Sequence, residues 1–374
     1  MSTIVQFLQA MVQKQASDLF FTAGAPVGIK VAGVVHPVTM PDLTAEGVKQ
    51  LAYELMDAGR VQQFEARNEL NFGYSLGDVG RFRVNLYRQR GTVAMVIRRL
   101  SSTVPALVDL ALPEILGRLA MEKHGLILVV GATGSGKSTT MAAMVEHRNA
   151  NMPGHILTVE DPVEFVFQRK QAVISQREIG ADTESYDSAL INALREAPDM
   201  IMIGETRDRQ TMHHVINYAN TGQLCLSSLH AINSHQALTR IVNFFPLDQR
   251  NTVLFDLASC LVAIVAQRLV RTVDGKRVAA LEIFMVDPGM QQLIREGRLD
   301  EIKQRMEEHL MAESQTFDQS LAKLHREGKI SYGEAEANAD SPRQFHLLIH
   351  GEPPQAAEER SILPPLPGDL PNLP

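Results

Sequence analysis

Gly131-Ala132-Thr133-Gly134-Ser135-Gly136-Lys137-Ser138 matches the pattern G-x-x-x-x-G-K-[ST] over its full length. Residues of these types at this spacing bind a polyphosphate. Gly131, Gly134 and Gly136 let the backbone pass close to phosphate oxygens. Thr133, Ser135 and Thr139 lie along the same turn, where amide N–H groups converge at a helix N-terminus. Lys137 would reach the β- and γ-phosphates of a nucleotide, and Ser138 would hold Mg²⁺. The apolar stretch Leu126–Val130 precedes the loop, and Thr139–Glu146 continues as a helix. Strand, loop and helix are the context that the pattern requires.

Hydrolysis of a bound nucleotide also needs carboxylates to hold magnesium and orient water. Two clusters offer them at strand ends. In Glu160-Asp161-Pro162-Val163-Glu164, Pro162 stops a strand and leaves acids near one sheet edge. In Met200-Ile201-Met202-Ile203-Gly204-Glu205, an apolar strand ends in Gly-Glu. Ligands of open α/β sheets bind beyond the carboxyl ends of the strands. The alternative is solvated loop charge, and two clusters at strand ends of one phosphate-loop domain argue against it. His230 follows the next strand, where a neutral imidazole could contact a γ-phosphate; a structural histidine is the alternative. His213 and His214 face different directions on a helix and read as non-functional. Arg81 and Arg83 share a side of their strand opposite Phe82, and Arg98 ends the neighbouring strand. An arginine delivered to a γ-phosphate can speed hydrolysis about 10³- to 10⁵-fold; an exposed sheet face with surface ion pairs is the other reading.

The elements that must position these residues form two parts. Residues 1–100 read as a small α+β domain. It has a helix from Ile4 to Lys14 and a strand pair from Val27 to Val38 turning at Gly33. A second helix from Thr44 to Ala58 is closed by Gly59, and strands 80–87 and 92–99 follow. Ser101, Ser102, Pro105 and Pro113 mark residues 101–113 as a linker. Across residues 114–286, short apolar strands alternate with helical stretches, which predicts an α/β core with a mostly parallel sheet. Residues 287–350 read as mainly helical. In residues 351–374, seven of 24 positions are proline, which predicts a disordered or polyproline-like tail.

Composition narrows the class. The chain has 374 residues, 45% apolar and 21% charged, as an ordinary globular protein does. A net charge of −7 gives no sign of a nucleic-acid surface. No apolar run approaches the roughly 18 residues of a membrane span, and no secretory leader is visible. Cys225 and Cys260 sit in apolar surroundings and read as buried thiols, not a metal site. These features predict a cytoplasmic protein without direct membrane insertion.

At these motifs a family becomes visible. The phosphate loop, the Glu160–Glu164 acidic box, Ile203-Gly204-Glu205-Thr206-Arg207-Asp208 and the Thr221-Gly222…Leu229-His230 box occur in that order. The chain resembles the secretion-superfamily ATPases and, within them, the type IV pilus retraction motors of the PilT and PilU kind, nearer to PilU. Ala16-Ser17-Asp18-Leu19 and Gln292-Leu293-Ile294-Arg295-Glu296-Gly297 extend the likeness. The resemblance implies a PAS-like N-terminal domain ahead of a RecA-like P-loop ATPase domain, with ATP and Mg²⁺ as ligands. It implies a homo-hexamer, with the first domain packed on the next subunit and the nucleotide at that joint. Arg81, Arg83 and Arg98 would then serve the site. Glu164 maps to the catalytic glutamate and Glu205 to an atypical Walker B glutamate on the magnesium side, with Ser138. Which glutamate orients water stays open. The implied partners are an inner-membrane pilus platform protein and a paralogous retraction ATPase, with the motor peripheral to the inner membrane at the pilus base.

The chain also departs from the family pattern. Gln223 stands where a second histidine usually follows Thr-Gly, and Phe20 stands where a histidine usually follows Ser-Asp-Leu. Gln can donate a hydrogen bond but does not titrate. The four-cysteine zinc module common in assembly and type II secretion motors is missing, which favours retraction. A pilus assembly or type II secretion ATPase, or a nucleotide-binding structural partner of a paralogous motor, are the alternative readings.

Overall fold

Side-chain alternation explains the first sheet. On one strand Phe82, Val84 and Leu86 are buried, while Arg81, Arg83 and Asn85 between them are half-buried. One face therefore covers a core and the other stays available for polar contacts. In the computed structural model, which describes residues 3–31, 33–100, 103–308 and 313–351, that strand belongs to a six-stranded antiparallel sheet. Its strands are β1 (Asp18–Phe21), β2 (Gly28–Val31), β3 (Val34–Pro37), β4 (Glu69–Leu76), β5 (Gly80–Gln89) and β6 (Thr92–Leu100). Their spatial order is β3-β2-β1-β6-β5-β4. The helix Thr3–Gln13 adds Ile4, Leu8 and Met11 to the core.

Thr44 caps the helix Ala45–Tyr53, its hydroxyl accepting from the Gly47 amide at 3.0 Å. Gly59 does not close that helix. It lies in the first turn of a further helix, Ala58–Arg67, whose N-cap Asp57 accepts from the Arg60 amide. The acidic cap supplies a start signal stronger than the stop signal of glycine. Ser101 and Ser102 of the expected linker, and residues 352–374 of the expected tail, lie outside the described residues.

The second sheet comprises β7 (Gly125–Val130), β8 (Gly154–Glu160), β9 (Ala172–Glu178), β10 (Met200–Ile203), β11 (Leu224–Leu229), β12 (Leu261–Arg271) and β13 (Arg277–Met285). Its order is β13-β12-β7-β11-β10-β8-β9, parallel from β12 to β9, with β13 antiparallel at one edge. β7, β10 and β11 are buried along their whole length, as the middle of a sheet covered on both faces must be. Leu126, Leu128 and Val130 point into one core, and Ile127 and Val129 into the other. The helices Glu114–Ala120 and Lys137–Asn151 cover one face; Tyr186–Ala193, Arg209–Asn220, Ser234–Asn243 and Arg250–Cys260 cover the other.

The helices Pro288–Arg295, Glu301–Glu308, Phe317–Arg326, Tyr332–Asn338 and Pro342–His350 follow. Phe317, Leu321 and Phe345 join the larger core, as do Leu293 and Ile294. Cys225 and Cys260 are free and buried, and burial pushes the Cys260 thiol up to about 12. Among the described residues, no helix is long and apolar enough to cross a membrane.

Candidate active site

Strands β8, β10, β11 and β7 are parallel neighbours, so their carboxyl ends share one edge of the sheet. β7 runs into the phosphate loop, β11 into His230, β10 into Gly204-Glu205 and β8 into Asp161-Pro162. Gly134 and Gly136 hold φ of 79° and 89°, which side-chain-bearing residues avoid. At Gly131 an added Cβ would stand 2.6 Å from the Gln267 carbonyl oxygen, so the loop sits directly on β12. Gln267 locks it there. Its Nε2 donates to the Ser135 carbonyl at 2.7 Å, and its Oε1 accepts from Thr140 Oγ1 at 2.7 Å. Sequence reasoning passed over Gln267; the available signal was a lone amide inside the apolar run Val262–Val270.

Lys137 is buried and donates through Nζ to the carbonyls of Gly131 and Ala132, each at 2.9 Å. Burial pulls its ammonium below the usual lysine value, against the pull of Glu205 and Glu164. Glu205 is gripped from two sides. Arg207 Nη2 lies 2.8 Å from its Oε2, and His230 Nε2 lies 2.9 Å from its Oε1. Partial burial alone would raise the carboxyl, yet the Arg207 hydrogen bond and charge, with His230 and Lys137, hold it below the ordinary range. Glu160 behaves in the opposite way. Burial pushes it up to about 7, against hydrogen bonds from Thr158, Gln176 and the Glu164 backbone. Within one acidic box, then, Glu160 is a buried support, while Glu164 is exposed to the cleft.

A cleft of about 380 Å³ gathers Thr133, Gly134, Lys137, Ser138, Glu164, Glu205, His230 and, from β5, Arg83. Gly131 and Ser135 line a recess of about 350 Å³ across the same loop, beside Arg268, Leu269 and Arg277. Ser135 Oγ is buried with no hydrogen-bond partner among the described residues. Thr139 is half-buried at the start of the loop helix.

The other two arginines are committed elsewhere. Arg81 Nη2 donates to Glu178 Oε2 at 2.5 Å, and Arg98 Nε donates to Asp18 Oδ1 at 2.8 Å. Asp18 is buried, so stranding it would cost more than the roughly 0–1 kcal/mol of an exposed pair. That explains why Arg98 turns to β1 although it stands opposite Arg83 across β5 and β6. Arg83 thus reaches the cleft of its own chain, where a neighbouring subunit was the expected donor. Gln223 also proves remote from this edge. It precedes β11 and accepts from Thr221 Oγ1 at 2.9 Å, a strand length of about 20 Å from His230.

The residues fit magnesium. Mg²⁺ takes one or two protein oxygens and completes its shell with phosphates and water. Ser138 and Glu205 line one cleft, and no cluster of three or more His, Cys, Asp or Glu residues with metal-binding geometry occurs among the described residues.

A parallel sheet with a phosphate loop after one strand and acids after its neighbours defines a RecA-like P-loop domain, here preceded by a PAS-like α+β domain. The family model described as Type II/IV secretion system protein matches residues 1–330, and the chain belongs to that family. It is 47% identical to the type IV pilus ATPase PilU of Pseudomonas aeruginosa, over 92% of this chain and 90% of that relative. To the type IV pilus retraction ATPase PilT of the same organism it is 36% identical, over 91% of this chain and 99% of that one. A crystal structure of the pilus retraction motor PilT with bound ADP superposes with a TM-score of 0.85. That match has 37% identity and covers 92% of this chain and 98% of the solved one.

Proposed function

We propose that the chain is a Mg²⁺-dependent ATPase working as a homo-hexameric motor of type IV pilus retraction, and hence of twitching motility. The observation that carries this reading is the convergence of Lys137, Glu164, Glu205, His230 and Arg83 on one cleft. Lys137 binds the β- and γ-phosphates, and the recess beside Leu269 and Arg277 receives the sugar and base. Ser138 and Glu205 would hold magnesium, which neutralises phosphate charge. Glu164, exposed in the cleft, orients the attacking water, with Glu205 steadied by His230 and Arg207. Arg83 stabilises the charge that develops on the transferring phosphoryl group.

On this reading the motor acts in the cytoplasm at the inner-membrane base of the pilus. It works against a platform protein and beside a paralogous retraction ATPase. A deletion strain tests the direction of force. Excess, immobile surface pili are the expected result, and absent pili would point to assembly instead.

A further inference from the structure

We propose that Glu178 is the positioning residue that couples the first domain to the acidic box, so that Arg83 and Glu164 are set together. The proposal rests on reading the cleft as an ATP-hydrolysing site. Glu178 closes β9 and pairs in register with Glu160 of β8. It is 2% exposed. Its backbone is pinned, the N–H donating to Asp182 Oδ2 at 2.8 Å and the carbonyl accepting from the Asp182 amide at 2.9 Å. Its carboxylate accepts from three directions: Arg81 Nη2 on β5 at 2.5 Å, the Gly73 amide on β4 at 3.2 Å, and the Val163 amide in the acidic box at 3.1 Å. Two of these donors belong to the first domain, and the third is the residue before Glu164. Buried charges fix geometry because each lost partner leaves charge uncompensated.

Strand register carries this joint to the cleft. Gly73 stands directly opposite Arg83 across β4 and β5. Arg81 and Arg83 project from the same face of β5, because strand side chains alternate. Any rotation that moves Arg83 must therefore turn Arg81 and Gly73 about the Glu178 carboxylate. Any shift of that carboxylate must pull on Val163 and hence on Glu164. Gly73 is needed for the close approach, since a Cβ there would stand 2.8 Å from Glu178 Oε1. Arg81 Nε is buried with no hydrogen-bond partner among the described residues, so the guanidinium is held as a pivot through Nη2, not as a two-bond clamp.

The test is steady-state ATP turnover by the full-length chain, with binding of a fluorescent ADP analogue measured separately. Glu178→Gln removes the charge, and Gly73→Ala displaces the carboxylate without removing it. Each should lower kcat about 10- to 100-fold, the size of effect expected when reacting groups are misplaced. Analogue affinity should stay within about twofold of wild type. Each is also combined with Arg83→Ala. The joint acts partly through Arg83, so the combined losses should fall well short of the product of the single losses. Wild-type kcat in both single variants, or fully multiplicative losses, would overturn the proposal. An inactive wild type would instead defeat the ATPase reading on which it rests.

Discussion

His230 Nε2 lies 2.9 Å from Glu205 Oε1, so the ends of β11 and β10 are joined by one imidazole–carboxylate contact at the mouth of the cleft. The histidine that the sequence offered as a γ-phosphate contact is thus paired with the Glu205 carboxylate. Arg207 grips the other oxygen of the same carboxylate. Glu205 is therefore fixed from two sides, with its carboxyl held below the ordinary range.

Removing Arg207 should expose that tuning. Burial raises the Glu205 carboxyl, and the Arg207 hydrogen bond and charge do most to bring it down. Arg207→Ala should move the carboxyl upward, so the acid limb of the kcat–pH profile should shift to higher pH. A profile whose acid limb stays in place would remove Glu205 from the rate-determining ionisation.

Glu160 gives a prediction of stability. Its folded value of about 7 exceeds the ordinary 4.5, so the folded state binds the proton more tightly. This contribution to stability is fully present below about pH 4.5 and is lost as pH rises through 7. Glu160→Gln should gain on wild type across that window, by roughly 3 kcal/mol at most, and then level off. Denaturant unfolding at several pH values measures this, and a difference independent of pH would contradict it.

Gln267 should matter more than its position in a buried strand suggests. Gln267→Leu leaves the Ser135 carbonyl and Thr140 hydroxyl without their partner, at about 1–3 kcal/mol for each buried group. Thermal unfolding should fall and nucleotide affinity should weaken together, because the same bonds hold the phosphate loop. Lower stability with unchanged affinity would show that the loop keeps its shape unaided.

Much of the architecture was legible because it was punctuated. The loop glycines at 131, 134 and 136 and the acids after β8 and β10 announce a site from local sequence alone. β9 escaped notice because an edge strand with a half-exposed Val173–Arg177 shows no continuous apolar run. The helix Arg250–Cys260 passes into β12 without an intervening turn residue, so that boundary carries no signal. The pairs Arg81–Glu178 and Arg98–Asp18 join residues 97 and 80 positions apart, which spacing cannot reveal. Of the three arginines read as equivalent, folding leaves Arg83 facing the cleft because buried acids claim the others.

Arg83→Ala should therefore spare ADP affinity and slow turnover, by as much as about 10³-fold if Arg83 meets the transition state. Equilibrium binding and single-turnover rates separate the two effects. An unchanged rate would remove Arg83 from the site.

The most direct measurement is Mg·ATP hydrolysis by purified full-length protein, compared with Lys137→Ala. Lys137 is the phosphate-loop cation, buried against Gly131 and Ala132. Steady hydrolysis by wild type that vanishes in the variant is the predicted result. A wild-type rate no higher than that of Lys137→Ala would contradict the ATPase reading and leave a nucleotide-binding structural partner in its place.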